Sequence, residues 1–94
     1  MFVLILTYTK PLDEVDAHMR GHMKWLDEQY RDGRFVVSGR RIPRTGGVIL
    51  ARGEDRDEIE AIAAEDPFVK HGVATVEVIQ FRASQTAEGL EGLA

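Results

Sequence analysis

The chain has no cysteine among its 94 residues, which excludes a disulfide framework, a thiolate nucleophile and any cysteine-ligated zinc or iron–sulfur centre. Basic charge is scarce too: 12 Lys and Arg stand against 16 Asp and Glu, a formal net charge of −4. A chain of that sign has no global positive field to recruit nucleic acid or anionic lipid. Long hydrophobic runs are missing. The longest, Phe2 to Leu6, is far short of the roughly 20 residues of a membrane span, and no basic segment of a secretion signal precedes it. These absences predict a cytoplasmic protein without nucleic-acid or membrane partners, whose chemistry comes from histidine, carboxylates or hydroxyls. What is present is ordinary for a small globular domain: 44% hydrophobic and 30% charged residues, enough for one modest core.

Residues Phe2 to Thr9 are β-branched and aromatic and stop at Pro11, as a buried strand would. Asp13 can cap a following helix in which Val15, Met19, His22, Met23, Leu26 and Tyr30 recur at helical spacing until Asp32-Gly33, a stop signal. Arg34 to Gly39 and Gly47 to Arg52 read as two strands joined by a basic turn carrying Arg40, Arg41 and Arg44. Asp55 and Glu58 have the spacing of a capping box, with Ile59, Ile62 and Ala63 as the apolar face behind it. This second helix should end at Asp66-Pro67, because the residue before proline is pushed out of helical conformation. Val73 to Phe81 reads as the last strand, and 83–94 as a frayed tail without sustained periodicity.

The order β-α-β-β-α-β is the split βαβ pattern of an α+β, ferredoxin-like fold, with both helices on one face of a four-stranded sheet. In the first strand both alternating sets are apolar, Val3 and Ile5 against Phe2, Leu4 and Leu6. Two helices cover only one face. The cheapest cover for the other is a second copy of the same sheet, so a homodimer closed into an α+β barrel is expected.

His18 and His22 lie four apart on one helical face. That spacing is half of a metal site, but no Glu follows in an H-E-x-x-H pattern, and no metal is expected. His18 reads as a solvated first-turn residue. His22 falls in the apolar stripe with Met19 and Leu26, where a polar ring must find a partner. With the two helices antiparallel, His22 and Asp66 come out at about 15 and 16 Å from the same end of the domain, taking about 1.5 Å per residue. A carboxylate bonded to one imidazole nitrogen fixes the tautomer and leaves the other nitrogen as a general base or acid. The bland alternative is that Asp66 only terminates its helix or caps the Pro67-Phe68 turn, with His22 a satisfied core histidine.

The ordered series His22-Met23-Lys24-Trp25-Leu26, Gly33-Arg34-Phe35, Ser38-Gly39, Gly46-Gly47-Val48-Ile49-Leu50, Asp66-Pro67-Phe68, Gly72 and Phe81 resembles the YCII-related (YciI-like) family over about residues 1–82. The resemblance implies a dimeric ferredoxin-like α+β barrel with a His and an Asp as catalytic dyad, which His22 and Asp66 match. Activity in the family is mostly undefined. Some relatives look like elimination enzymes acting on chlorinated aromatic rings, and the fold is shared with lactone isomerases and small monooxygenases. Members similar to this one usually read Ser-Gly-Pro where this chain has Ser38-Gly39-Arg40.

Pointed inward, Arg40 could bind a carboxylate or phenolate; clustered with Arg41 and Arg44 on a turn, it is expected to face solvent. Tyr8, Ser38, Trp25 and Phe68 are candidate pocket residues, although Trp25 and Phe68 equally suit core or dimer packing. Ser38 lacks a nucleophile-elbow context, and His71 reads as a surface loop residue. No Gly-rich phosphate loop is present, since Gly46-Gly47 falls in a hairpin. The leading expectation is a small enzyme, without cofactor, using His22 and Asp66 to move a proton in an elimination or isomerisation of a small cyclic or aromatic substrate. A non-catalytic metabolite-binding dimer and an accessory domain of a larger enzyme are the rivals.

Overall fold

The structure, a computed structural model describing residues 1–94, is built around β1 (Phe2–Tyr8), which pairs antiparallel with β3 (Gly46–Ala51) on one side and β4 (Ala74–Gln80) on the other. β2 (Phe35–Arg40) adds antiparallel to β3, giving the order β2-β3-β1-β4. This is the ferredoxin-like arrangement. Phe2, Leu4 and Leu6 alternate onto the helix-covered face and are fully or nearly fully buried. Each such side chain contributes about 1.5–3 kcal/mol of hydrophobic stabilisation. The same face collects Phe35, Ile49, Ala51 and Ala74 from the other strands and Trp25, Leu26, Ile59, Ala63 and Phe68 from the helices. No helix is long and apolar enough to cross a membrane.

The first helical segment differs from the continuous helix that periodicity suggests. It is split into α1 (Leu12–Asp16) and α2 (Met19–Arg31). Pro11 rather than Asp13 occupies the N-cap, with no side-chain cap bond. At the break, His18 N–H bonds to the Val15 carbonyl at 3.0 Å, a three-residue step that tightens the turn and reorients the chain. The second helix also divides. Asp55 caps α3 (Arg56–Ala64) by accepting from Glu58 N–H at 3.2 Å, whereas the Glu58 carboxylate pairs with Arg34 instead of closing the box. Asp66 then starts a separate one-turn helix, α4 (Pro67–Lys70), with Pro67 at its first position, where a missing N–H costs nothing. Beyond β4 the only regular element is a 3-10 turn at Glu91–Leu93.

The register of β2 decides which of its side chains meet the helices. Phe35 faces Ala51 and Val37 faces Leu50, a shift that inserts Val36 as a bulge. Because strand side chains alternate with period two, one extra residue exchanges the faces of everything after it. Phe35 is therefore buried while Val37, two residues on, is 56% exposed on the uncovered face. Ser38 and Arg40, opposite Ile49 and Gly47, turn to the helix side. The uncovered face carries Val3, Ile5, Val37, Val48, Leu50 and Ile79, with Glu77 opposite Ile5, a largely apolar surface with no helix over it.

Candidate functional site

His22, Trp25 and Leu26 share one face of α2, three and four residues apart. Trp25 and Leu26 anchor that face in the core, and His22 sits one turn earlier, where α2 passes over α4. Its Nδ1 lies 2.8 Å from Asp66 Oδ1. The carboxylate is 1% exposed, the His22 side chain 13%. The same Oδ1 accepts the Phe68 backbone N–H at 3.0 Å. Both sequence readings of Asp66 thus coexist in one atom: it caps the turn and holds the histidine. The cap orients the carboxylate, and the carboxylate orients the ring. Phe68 adds a second constraint, stacking on the imidazole with ring centroids 4.0 Å apart and planes at 7°. In the tautomer that donates from Nδ1 to this carboxylate, Nε2 keeps its lone pair.

A cleft of about 210 Å³ opens beside this ring, between α2 and the ends of β1, β2 and β3. Leu6, Met19, Met23 and Leu26 give it apolar walls, Phe68 and Tyr8 an aromatic side, and Ser38 with Arg40 a polar one. Tyr8 meets Phe68 edge-on at 5.9 Å. Ser38 shares a hydrogen bond with the Tyr30 hydroxyl. Gly46 and Gly47 lie where β3 backs the cleft, and at Gly46 the chains approach so closely that only glycine fits.

Of the residues proposed from sequence, Tyr8, His22, Ser38, Arg40 and Phe68 line one cleft. Two placements depart from expectation. Arg40 borders the cleft mouth while remaining exposed to solvent, because the β2 bulge and the continuation of the strand to Arg40 carry it onto the helix face at the open end of the sheet. Trp25 does not line the cleft. Its indole is buried in the core, donating to the Ile62 carbonyl at 3.1 Å and packing edge-on against Phe35, so it braces α2 against α3 beneath the histidine. His18 pairs with His71, the rings stacked at 4.1 Å, so neither is an isolated surface residue. No three His, Cys, Asp or Glu side chains converge anywhere in the chain.

Sequence reading missed Arg44. Its guanidinium folds back from the β2–β3 connection to lie 5.8 Å over the Tyr8 ring and to pair with Asp16 at the end of α1. Arg44's hydrogen bond, opposed by desolvation and reinforced by the charges of Arg44 and Arg40, holds the Asp16 carboxyl below its ordinary range. A carboxyl depressed in the folded state stabilises above its unfolded pKa and stops doing so as pH falls through the folded one. The melting-temperature difference between wild type and Asp16→Asn should therefore stay flat from neutrality to about pH 5 and shrink below about pH 4. A difference that grew in acid would contradict the pairing.

The YCII-related domain family matches residues 1–82 of the chain. Among solved structures the chain is similar to 5-chloro-2-hydroxyhydroquinone dehydrochlorinase from Burkholderia phenoliruptrix AC1100 in complex with 2,5-dihydroxybenzoquinone, at a TM-score of 0.71 and 21% identity over 87% of this chain and 94% of that one. That likeness is one of fold. No curated protein matches the chain in sequence.

Proposed function

The chain belongs to the YCII-related domain family, and we propose that it is a small enzyme, working without a cofactor, in which His22, oriented by Asp66, transfers a proton on a small cyclic or aromatic substrate. The observation that carries this reading is the 2.8 Å contact of His22 Nδ1 with a buried carboxylate at the wall of an apolar cleft. The proton held between Nδ1 and Asp66 leaves Nε2 as the base. As Nε2 takes a proton from a ring carbon or hydroxyl next to an electron-withdrawing group, the freed pair forms a new π bond. Either a leaving group departs with its own bonding pair, which is elimination, or the proton returns at another carbon, which is isomerisation. Asp66 holds the ring and stabilises the imidazolium that forms. Tyr8, Ser38 and Phe68 shape the ring site, and Trp25 supports it from the core.

Elimination is favoured because the similar fold is that of a dehydrochlorinase. The test is to incubate the protein in deuterated water with chlorinated and hydroxylated ring compounds and small lactones, following chloride release and deuterium incorporation, with His22→Asn as control. Turnover by wild type alone supports the reading. Equal rates in both proteins reject His22 as the base. A second reading, a metabolite-binding module in which the pair only maintains the cleft, is favoured by the capping bond that Asp66 accepts from the Phe68 N–H, and saturable ligand binding without turnover would establish it.

The proposed working form is a homodimer, sheet on sheet, since the uncovered face is largely apolar, with Glu77 its charged exception on β4. Val37 projects from that face 56% exposed, so Val37→Lys should change monomer stability by no more than about 0.5 kcal/mol while placing a charge in the sheet contact. Light scattering should show a dimer for wild type and a monomer for Val37→Lys. Monomeric wild type would reject the barrel.

A further inference from the structure

The chain is acidic overall, at −4, yet its cleft is not. Apart from His22, the charged side chains lining it are Arg40 and Arg44, and no carboxylate joins them there. Arg44 is partly spoken for, pairing with Asp16 and lying over Tyr8, but its Nε is buried and has no acceptor within the chain. A buried donor without a partner is uncommon, because leaving one unmade costs more than a bond gains. Arg40 makes no ion pair at all; strand alternation puts it on the helix side of the sheet, at the cleft mouth and exposed to solvent. Its charge reaches Asp16, so the three groups form one cluster. Two guanidiniums less one carboxylate leave a net +1 among these three groups at the cleft mouth, apart from the Asp66 carboxylate behind His22.

We infer that the cleft selects a monoanionic ring bearing a carboxylate, held by the uncommitted guanidinium of Arg40 with Arg44 beside it, while the ring lies against Phe68 and His22. This rests on the proposed function and names the substrate class for the same site. A carboxylate suits Arg40 because two parallel N–H groups meet two oxygens, a bidentate fit that a phenolate or an amide lacks. The volume, about 210 Å³, suits one substituted ring, since a cavity of about 150 Å³ admits benzene.

The test is to titrate wild type, Arg40→Gln, Arg44→Gln and His22→Asn with benzoate and with neutral benzamide, at low and at high salt, following amide shifts by NMR. Benzoate should shift cleft residues and bind at least about tenfold more tightly than benzamide, with the preference shrinking in high salt. Arg40→Gln should abolish the preference, Arg44→Gln should weaken it, and His22→Asn should retain it. Equal affinities, a preference that survives Arg40→Gln, shifts that map elsewhere or no benzoate binding would each overturn the inference. Benzoate binding without turnover of any ring would instead sink only the proposed function. Turnover of neutral rings with no carboxylate preference would sink only this inference.

Discussion

Replacing His22 with Asn should lower kcat on a substrate of this site by about 10²–10⁴-fold, the usual contribution of a positioned general base, with a much smaller change in KM. Asn keeps a polar group of similar size but has no basic nitrogen. Asp66→Asn is the more informative partner. Its amide oxygen can still accept the Phe68 N–H, as Asp66 Oδ1 does at 3.0 Å, so α4 keeps its cap, while the charge that stabilises an imidazolium is gone. We expect kcat to fall by about 10²-fold with KM nearly unchanged, the pattern of an interaction made in the transition state. Asp66→Ala should add a stability loss of about 2–4 kcal/mol, because it strips a helix cap and leaves the Phe68 N–H and His22 Nδ1 unpaired at a buried position. Activity equal to wild type in Asp66→Asn would rule out the mechanism, whatever its effect on stability.

The largest stability effect is expected at Gly46. A Cβ built there lies 1.8 Å from the Leu6 carbonyl oxygen and 2.7 Å from its carbon. Both are backbone atoms of the central strand, so no rotamer change relieves the overlap, and β1 and β3 would have to part beside the cleft. Gly46→Ala should cost more than about 4 kcal/mol or prevent folding, measured by chemical unfolding. Gly39→Ala is the control. A Cβ at Gly39 meets nothing within 4 Å, and stability should change by no more than about 0.5 kcal/mol. If Gly46→Ala unfolded at the wild-type midpoint, the close approach of β1 and β3 would be wrong.

Much of this architecture was legible in the chain. Alternation in Phe2 to Leu6 and helical spacing through Trp25 and Leu26 report burial directly, because each periodicity is set by local backbone geometry. Helix rise and antiparallel packing brought His22 and Asp66 level but left Asp66 equally readable as a helix end, and the family resemblance singled out the pair. What escaped was set by contacts rather than by local pattern. The bulge at Val36 depends on how β2 aligns with β3, and it alone moves Ser38 and Arg40 onto the helix face. The double role of Asp66 escaped because Asp-Pro reads equally as the end of one helix or the start of the next. Arg44 returns to Tyr8 across the β2–β3 connection, and nothing in the local sequence of a turn encodes where a long side chain will land. Trp25 was read as a pocket residue because a large aromatic beside a histidine suits core and cleft alike; its partner, the Ile62 carbonyl, lies 37 residues away.

The most direct measurement is the tautomeric state of the three imidazole rings, read from their nitrogen shifts by NMR at a pH where they are neutral, in wild type and in Asp66→Ala. The dyad requires wild-type His22 to carry its proton on Nδ1 in a single tautomer, with Nε2 free, and to lose that preference in Asp66→Ala, which removes the acceptor, while His18 and His71 remain unchanged. A His22 that carries its proton on Nε2, or that behaves the same in both proteins, would mean that Asp66 does not prepare this ring as a base.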